Sequence, residues 1–172
     1  MGAPLVYREY PEGGHTWYGQ EDRDVLDFIR FHVRDPYPAR VKFTTREPAF
    51  GRCSWIEVVE STRPLRIEFT HLDMLGQPLE VRKEYDKSVE VDARIDRDRN
   101  RVSVQASGVK SLKVWLADEM LDLDKPVEVV VNDVRLFTGK VDRSIRTALE
   151  DCRKRGDRRS AFAASVTVEP TR

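Results

Sequence analysis

Val89-Glu90-Val91-Asp92-Ala93-Arg94-Ile95 alternates apolar and charged residues without a break, and the turn Asp96-Arg97-Asp98-Arg99-Asn100 leads on into Val102, Val104 and Ala106. A period of two puts the valines, Ala93 and Ile95 on one face and the charges on the other, as in a half-buried strand. The same period recurs on both sides of this stretch. Upstream it appears in Val41, Phe43 and Thr45, in Trp55-Ile56-Glu57-Val58-Val59, and in Leu65, Ile67 and Phe69 between Arg66 and Glu68. Downstream it appears in Leu112, Val114 and Leu116, in Val127, Val129 and Val131, and in Phe162, Ala164, Val166 and Val168, which Pro170 ends. Asn132-Asp133 reads as a two-residue hairpin turn into Val134 and Leu136, in which Val131 faces Val134 and Val129 faces Leu136. Evenly spaced strands joined by polar turns predict a mainly β chain, an antiparallel β-sandwich.

One helix interrupts these strands, near Asp142–Arg155. Asp142 or Ser144 is placed to cap it, and Gly156 to stop it. Ile145, Ala148, Leu149 and Cys152 share a face at helical spacing and are expected to dock it on the sandwich.

Residues 1–35 are organised differently. Leu5–Tyr10 reads as a short strand, Pro11-Glu12-Gly13-Gly14 as a turn, and Glu21–Val33 as a helix. Val25, Leu26, Phe28, Ile29, His32 and Val33 fall on one side of that helix, and Arg23, Asp24, Asp27 and Arg30 on the other. Glu21 and Asp22 stand in its first turn, where the helix dipole favours carboxylates. Asp35-Pro36-Tyr37-Pro38 ends it, because proline disfavours helical geometry in the residue before it. The chain therefore divides into residues 1–35, a strand–loop–helix segment, and residues 36–172, the sandwich.

Composition narrows the function classes. Thirty Lys+Arg balance thirty Asp+Glu in 172 residues, so the chain lacks the basic footprint that nucleic acid requires. No apolar run approaches the roughly 18 residues of a membrane span, and the first residues have no apolar core of a signal peptide. Neither nucleic acid nor membrane is expected as a partner, and no compartment is assigned, since a parent protein can be exported. Cys53 and Cys152 lie 99 positions apart with no CxxC pair, and are expected as reduced buried thiols unless the fold brings them together. His15, His32 and His71 have no partner at metal-ligand spacing, so no metal site is predicted. A phosphate loop and a Gly-x-Ser-x-Gly elbow are both missing, and no cofactor is expected.

Tyr7-Arg-Glu-Tyr-Pro-Glu-Gly-Gly-His15-Thr-Trp17-Tyr18 is the stretch that carries chemistry. Strand, glycine turn, histidine and amphipathic helix follow in the order found at the C-terminal end of an α/β-hydrolase domain. The segment resembles that end in esterases and prolyl-oligopeptidase-like peptidases, where a Gly-Gly-His or Gly-x-His loop holds the catalytic histidine. The resemblance covers about a fifth of the chain. It implies a role for His15 as the proton-transferring residue and for Trp17 as a pocket wall. It also implies a serine and an Asp or Glu upstream of Met1, because the triad order in that fold is Ser, acid, His. Gly13 and Gly14 would let the backbone approach the site without a side-chain clash. Residues 36–172 are similar, mainly by position, to a β-sandwich accessory domain that follows such hydrolases in bacteria. The implied protein is the C-terminal portion of a serine hydrolase, an esterase or peptidase, that is not catalytic on its own. Read without the resemblance, His15 is a histidine in a turn, and the chain is a stand-alone, non-catalytic binding or assembly module.

Other constellations are weaker. Trp55, Trp115, Tyr85 and Phe137 suit a sugar-stacking face, but their strand patterns place them in the core. Asp118, Glu119, Asp122 and Asp124 are oxygen ligands without the glycine and final glutamate of a calcium loop. Arg153-Lys-Arg-Gly-Asp-Arg-Arg159 reads as a solvated helix end. The apolar face of the helix at 21–33 has no sheet of its own in residues 1–35, so a homodimer through that face is expected.

Overall fold

The computed structural model describes residues 5–11, 13–14, 19–32, 34–62, 65–72, 76, 78–86, 88–157 and 160–170, with residue 20 and the strands at 65–72 and 78–86 described by backbone alone. The chain forms two compact units, Met1–Asp35 and Pro36–Arg172.

In the first unit, α1 spans Asp22–Phe31 after a short 3₁₀ turn at Gly19–Glu21. Its acidic first turn and basic last turn match the helix dipole. Leu5–Tyr10 has no ladder partner among the described residues, so the expected strand is not formed there. A strand exists only through its neighbours, and the described residues of this unit offer none.

The second unit is mainly β. Its strands are β1 (Arg40–Thr45), β2 (Arg52–Cys53), β3 (Ile56–Ser61), β4 (Leu65–Leu72), β5 (Pro78–Asp86), β6 (Val89–Asp96), β7 (Arg101–Ser107), β8 (Val109–Leu116), β9 (Val127–Val131), β10 (Val134–Gly139) and β11 (Ala164–Val168), with α2 at Ile145–Arg155. Among the described residues, one sheet has the order β1-β6-β7-β9-β10 and the other β11-β8-β3-β2, while β4 and β5 pair only with each other. Val91, Ala93, Val102, Val104 and Val129 from the first sheet meet Ile56, Val58, Leu112, Val114 and Leu116 from the second in one buried core. Their alternation in sequence is what puts them all on the inner faces.

One pairing departs from the antiparallel expectation: β7 and β9 run parallel, with Val102 opposite Val129 and Val104 opposite Val131. The cause is the path of β8. Gly108, at φ +71°, turns the chain sharply from one sheet into the other, and a Cβ there would lie 2.8 Å from the Ser88 carbonyl oxygen. β8 returns through the second sheet, and β9 then re-enters the first beside β7 in the same direction.

The Asn132-Asp133 turn forms as expected, with both residues at positive φ and Val131 opposite Val134. Positive φ at both central positions matches the twist of the flanking strands. Val129, however, faces Phe137 rather than Leu136, because a bulge between Arg135 and Phe137 absorbs one residue. The Asn132 side chain accepts from the Ala106 N–H at 2.9 Å and donates to the Ala106 carbonyl at 2.9 Å. It thus extends the β7–β9 ladder by one peptide-like step.

The docking of α2 is a correction. Ser144 caps the helix, accepting from the Thr147 N–H, and Gly156 stops it in the left-handed conformation, both as expected. The expected apolar face is not the one that docks: Ile145 is 81% and Leu149 65% exposed. The residue turned inward is Asp151, 1% exposed, while Ala148 and Cys152 are half-buried beside it. Charged partners on the sheet outcompete a two-residue apolar strip, because an ionised carboxylate is buried only where cations meet it. Leu149→Asp, which a docked Leu149 would make severely destabilising, is therefore expected to change the unfolding free energy by less than about 0.5 kcal/mol. Urea unfolding checks this, and a loss of several kcal/mol would restore the apolar docking.

Candidate functional site

The two residues singled out by the hydrolase resemblance, His15 and Trp17, lie outside the described residues. The elements that flank them are described. The Gly13 N–H donates to the Tyr10 carbonyl at 2.9 Å, closing a tight turn where the Pro-Glu-Gly-Gly stretch predicts one. A Cβ at Gly14 would meet nothing within 4 Å, so the close approach expected there has no counterpart among the described residues.

Beyond the loop, α1 buries none of its residues. Val25, Leu26 and Ile29 are 53–63% exposed on the face that the sequence makes apolar. Between residues 5–10 and the helix lies a cleft of about 660 Å³, walled by Leu5, Val6, Val25, Phe28 and Phe31. Its polar margin is a cluster of three contacts. The Tyr10 hydroxyl donates to Glu21 Oε1 at 2.6 Å, Arg8 pairs with Glu21, and Arg8 Nη2 donates to Asp24 Oδ2 at 2.6 Å. His32 closes the helix end, with its backbone N–H on the Phe28 carbonyl at 3.1 Å and its ring stacked on Phe28 at 4.0 Å between centroids.

The sandwich holds a second polar constellation, beneath α2. Arg52 Nη1 is 2.6 Å from Asp151 Oδ1 in an ion pair without hydrogen-bond alignment, so Arg52 Nη1, Arg52 Nη2 and Asp151 Oδ1 are buried with no hydrogen-bond partner. The Arg52 guanidinium lies 4.4 Å from the centre of the Trp115 ring, a cation–π contact that partly replaces lost hydration. Arg155 donates to Asp151 Oδ2 from Nη2 at 2.5 Å and from Nε at 3.0 Å, and to Ser160 and Asp157. Glu57 accepts from Trp115 Nε1 at 2.8 Å and from Lys154 at 2.9 Å. Burial alone would raise the Glu57 carboxyl, but Lys154, Trp115 and Arg52 outweigh it and hold the carboxyl below its ordinary value. Cations and anions balance here, and the pairs Arg52–Asp151 and Lys154–Glu57 join helix to sheet.

Arg143 lies between Asp118 and Asp124, donating to each at 2.6–3.1 Å, and Asp122 pairs with Lys125 at 2.7 Å. Asp118, Asp122 and Asp124, three of the four acids suspected of a calcium site, are thus bound to cationic side chains, and Arg143 holds the Asp118 carboxyl below its ordinary value. Among the described residues no group of His, Cys, Asp and Glu is gathered as metal ligands. Trp55 is fully buried in the core, Trp115 is buried under Arg52, and Phe137 packs against the core, so these aromatics form no sugar-stacking face. The Tyr85 side chain lies outside the described residues. In the basic stretch, Arg155 is mostly buried and tied down, unlike the solvated end expected, and Arg158 and Arg159 lie outside the described residues. Cys53 and Cys152 are both free and half-buried, and burial pushes the Cys53 thiol up.

Two polar clusters escaped the sequence reading. The Asp151–Arg155 pair has a legible signal, its i,i+4 spacing on a helix. Arg8, Tyr10 and Glu21 have none, since nothing in their spacing sets the return angle of the chain. Among the described residues no helix is long and apolar enough to cross a membrane. Comparison with protein-family models, with curated proteins and with solved structures finds no match to this chain.

Proposed function

We propose that residues 1–35 are the C-terminal strand, histidine loop and helix of an α/β-hydrolase catalytic domain, and that residues 36–172 are its accessory β-sandwich. In this reading His15 takes a proton from an upstream serine and returns it to the leaving group, with Trp17 at the pocket wall. The substrate is an ester or a peptide. The observation that supports it is the exposed apolar surface of the first unit: a segment at 5–10 with no ladder among the described residues and a helix with no buried residue. Exposing each large apolar side chain costs about 1.5–3 kcal/mol, so such a surface is made to be covered, and a sheet covers both elements at once. A stand-alone binding module is the second reading, favoured by the exposed Ile145 and Leu149 on α2.

This chain has no elbow serine, so it is expected to turn over no p-nitrophenyl ester or peptide anilide by itself. Turnover that disappears in His15→Ala would make the 172-residue chain an enzyme in its own right. The proposal is tested by fluorophosphonate labelling of the native polypeptide that contains these residues. A labelled serine in a polypeptide larger than 20.0 kDa supports it, and an unlabelled native polypeptide overturns it.

In solution without a parent sheet, a second copy covers the α1 face as a two-fold dimer. Light scattering at micromolar concentration is expected to give a dimer that Ile29→Glu converts to a monomer. A monomeric parent chain would refute the shared face.

A further inference from the structure

We propose that the free edge of β11 pairs with the β11 edge of a second copy of this chain, antiparallel about a two-fold axis at Val166. Among the described residues, four strands border the two sheets of the sandwich: β1 and β10 in the first, β11 and β2 in the second. A bare edge invites pairing with another chain, and charges, bulges or a very short strand discourage it. β1 carries Arg40 and Lys42, β10 carries Arg135 and a bulge, and β2 is two residues long. β11 has none of these devices. Its ladder with β8 runs unbroken from Ala164 to Val168, and no charged residue stands between Arg159 and Glu169.

The direction of the free groups follows from the neighbouring ladder. The Trp115 N–H donates to the Trp55 carbonyl at 2.8 Å, on the β3 side of β8. Successive residues of an antiparallel strand alternate in the side they bond. Ser165, opposite Trp115, and Thr167, opposite Lys113, therefore point their N–H and C=O groups away from β8. Ala163 has the same parity, and its carbonyl accepts from the Ser144 N–H at 2.7 Å. Ser165 and Thr167 are exposed, while Ala164, Val166 and Val168 are buried. This edge is self-complementary. With Val166 on the axis, Ser165 stands opposite Thr167 of the second copy, and each such pair exchanges both of its backbone hydrogen bonds. Hydroxyl side chains then meet hydroxyl side chains on the exposed face, a favourable cross-strand pair. The second sheets of the two copies join into one.

The contact is small and belongs to the weak class, with a dissociation constant on the order of 100 µM. It is separate from the α1 face, so the test uses the intact chain carrying Ile29→Glu. In sedimentation equilibrium from about 10 µM to about 1 mM, the mass is expected to rise from 20.0 kDa toward twice that value. Over the same range, exchange of the Ser165 and Thr167 amides is expected to slow, while the Val166 amide, already bonded to β8, keeps its rate. Ser165→Lys with Thr167→Lys sets lysine opposite lysine across the axis and is expected to weaken association about tenfold. Ser165→Glu with Thr167→Lys sets opposite charges in the same positions and is expected to return it to within about threefold. A chain that stays monomeric to about 1 mM overturns the proposal, whether the edge takes another protein's strand or none. Association that the two lysines leave unchanged, or that leaves the Ser165 and Thr167 amides unprotected, overturns it as well.

Discussion

Asp151→Ala is expected to lower the unfolding free energy of the sandwich by about 3–5 kcal/mol, the range for removing one partner of a buried ion pair. Asp151 is 1% exposed and lies between two guanidinium groups, Arg52 at 2.6 Å and Arg155 at 2.5 Å. Removing the carboxylate leaves two cations in a site where Arg52 keeps weaker partners: the Trp115 ring, the Ser54 carbonyl at 3.3 Å and Glu57 at 3.8 Å. Arg155 keeps Asp157 and Ser160, so Arg52 bears most of the loss. Urea unfolding measures the effect, and the double variant Arg52→Met, Asp151→Leu sorts its cause. An apolar pair of similar volume is often as stable as the ion pair it replaces, so the double variant is expected to recover most of the stability. If Asp151→Ala stays within 1 kcal/mol of the parent, the ionic docking of α2 is wrong.

Trp55→Ala is expected to destabilise to a similar extent, about 3–5 kcal/mol, by a different route. Trp55 is completely buried in the turn between β2 and β3, and its Nε1 donates to the Pro38 carbonyl at 2.8 Å. Truncation opens a cavity at the centre of the core and orphans that carbonyl. Ser54 Oγ donates to the Pro36 carbonyl at 3.1 Å, and the Tyr37 hydroxyl meets Ala161, so the whole Pro36–Pro38 segment is fastened to the sandwich around this side chain. Trp55→Phe keeps most of the ring and loses the donor, and its expected cost is about 1–3 kcal/mol. Thermal unfolding followed by circular dichroism reads both, and a fall of less than 1 kcal/mol for Trp55→Ala would place Trp55 outside the load of the core.

Much of the fold was legible before any coordinates. A residue that alternates with charges, such as Val91 between Glu90 and Asp92, is buried because a strand has only two faces. Asn132-Asp133 set its hairpin because two adjacent residues at positive φ suit few other pairs. The bulge that places Phe137 opposite Val129 was not legible, since one extra residue in a strand leaves local composition unchanged. In the first unit the helix was legible from its period, but the ladder expected for Leu5–Tyr10 depended on neighbours that are not found among the described residues. The His15 and Trp17 assignment rests on the order of elements around them in the sequence.

By itself, the sequence determined what depends on nearest neighbours along the chain. That includes the strand faces, the caps of α2 at Ser144 and Gly156, the type of turn at Asn132, and the division at Pro36. The tertiary structure alone decided what depends on residues far apart in sequence. It sent β8 through the opposite sheet and so made β7 and β9 parallel, with Val102 opposite Val129. It also turned α2 to bury Asp151 instead of Leu149. A helix of this composition has an apolar strip and a charged strip, and periodicity ranks the apolar one first. The choice reverses only because Arg52, brought by β2 from 99 residues upstream, stands where the helix lands, and a carboxylate between two guanidinium groups is held there more strongly than two methyl-bearing side chains are drawn from water.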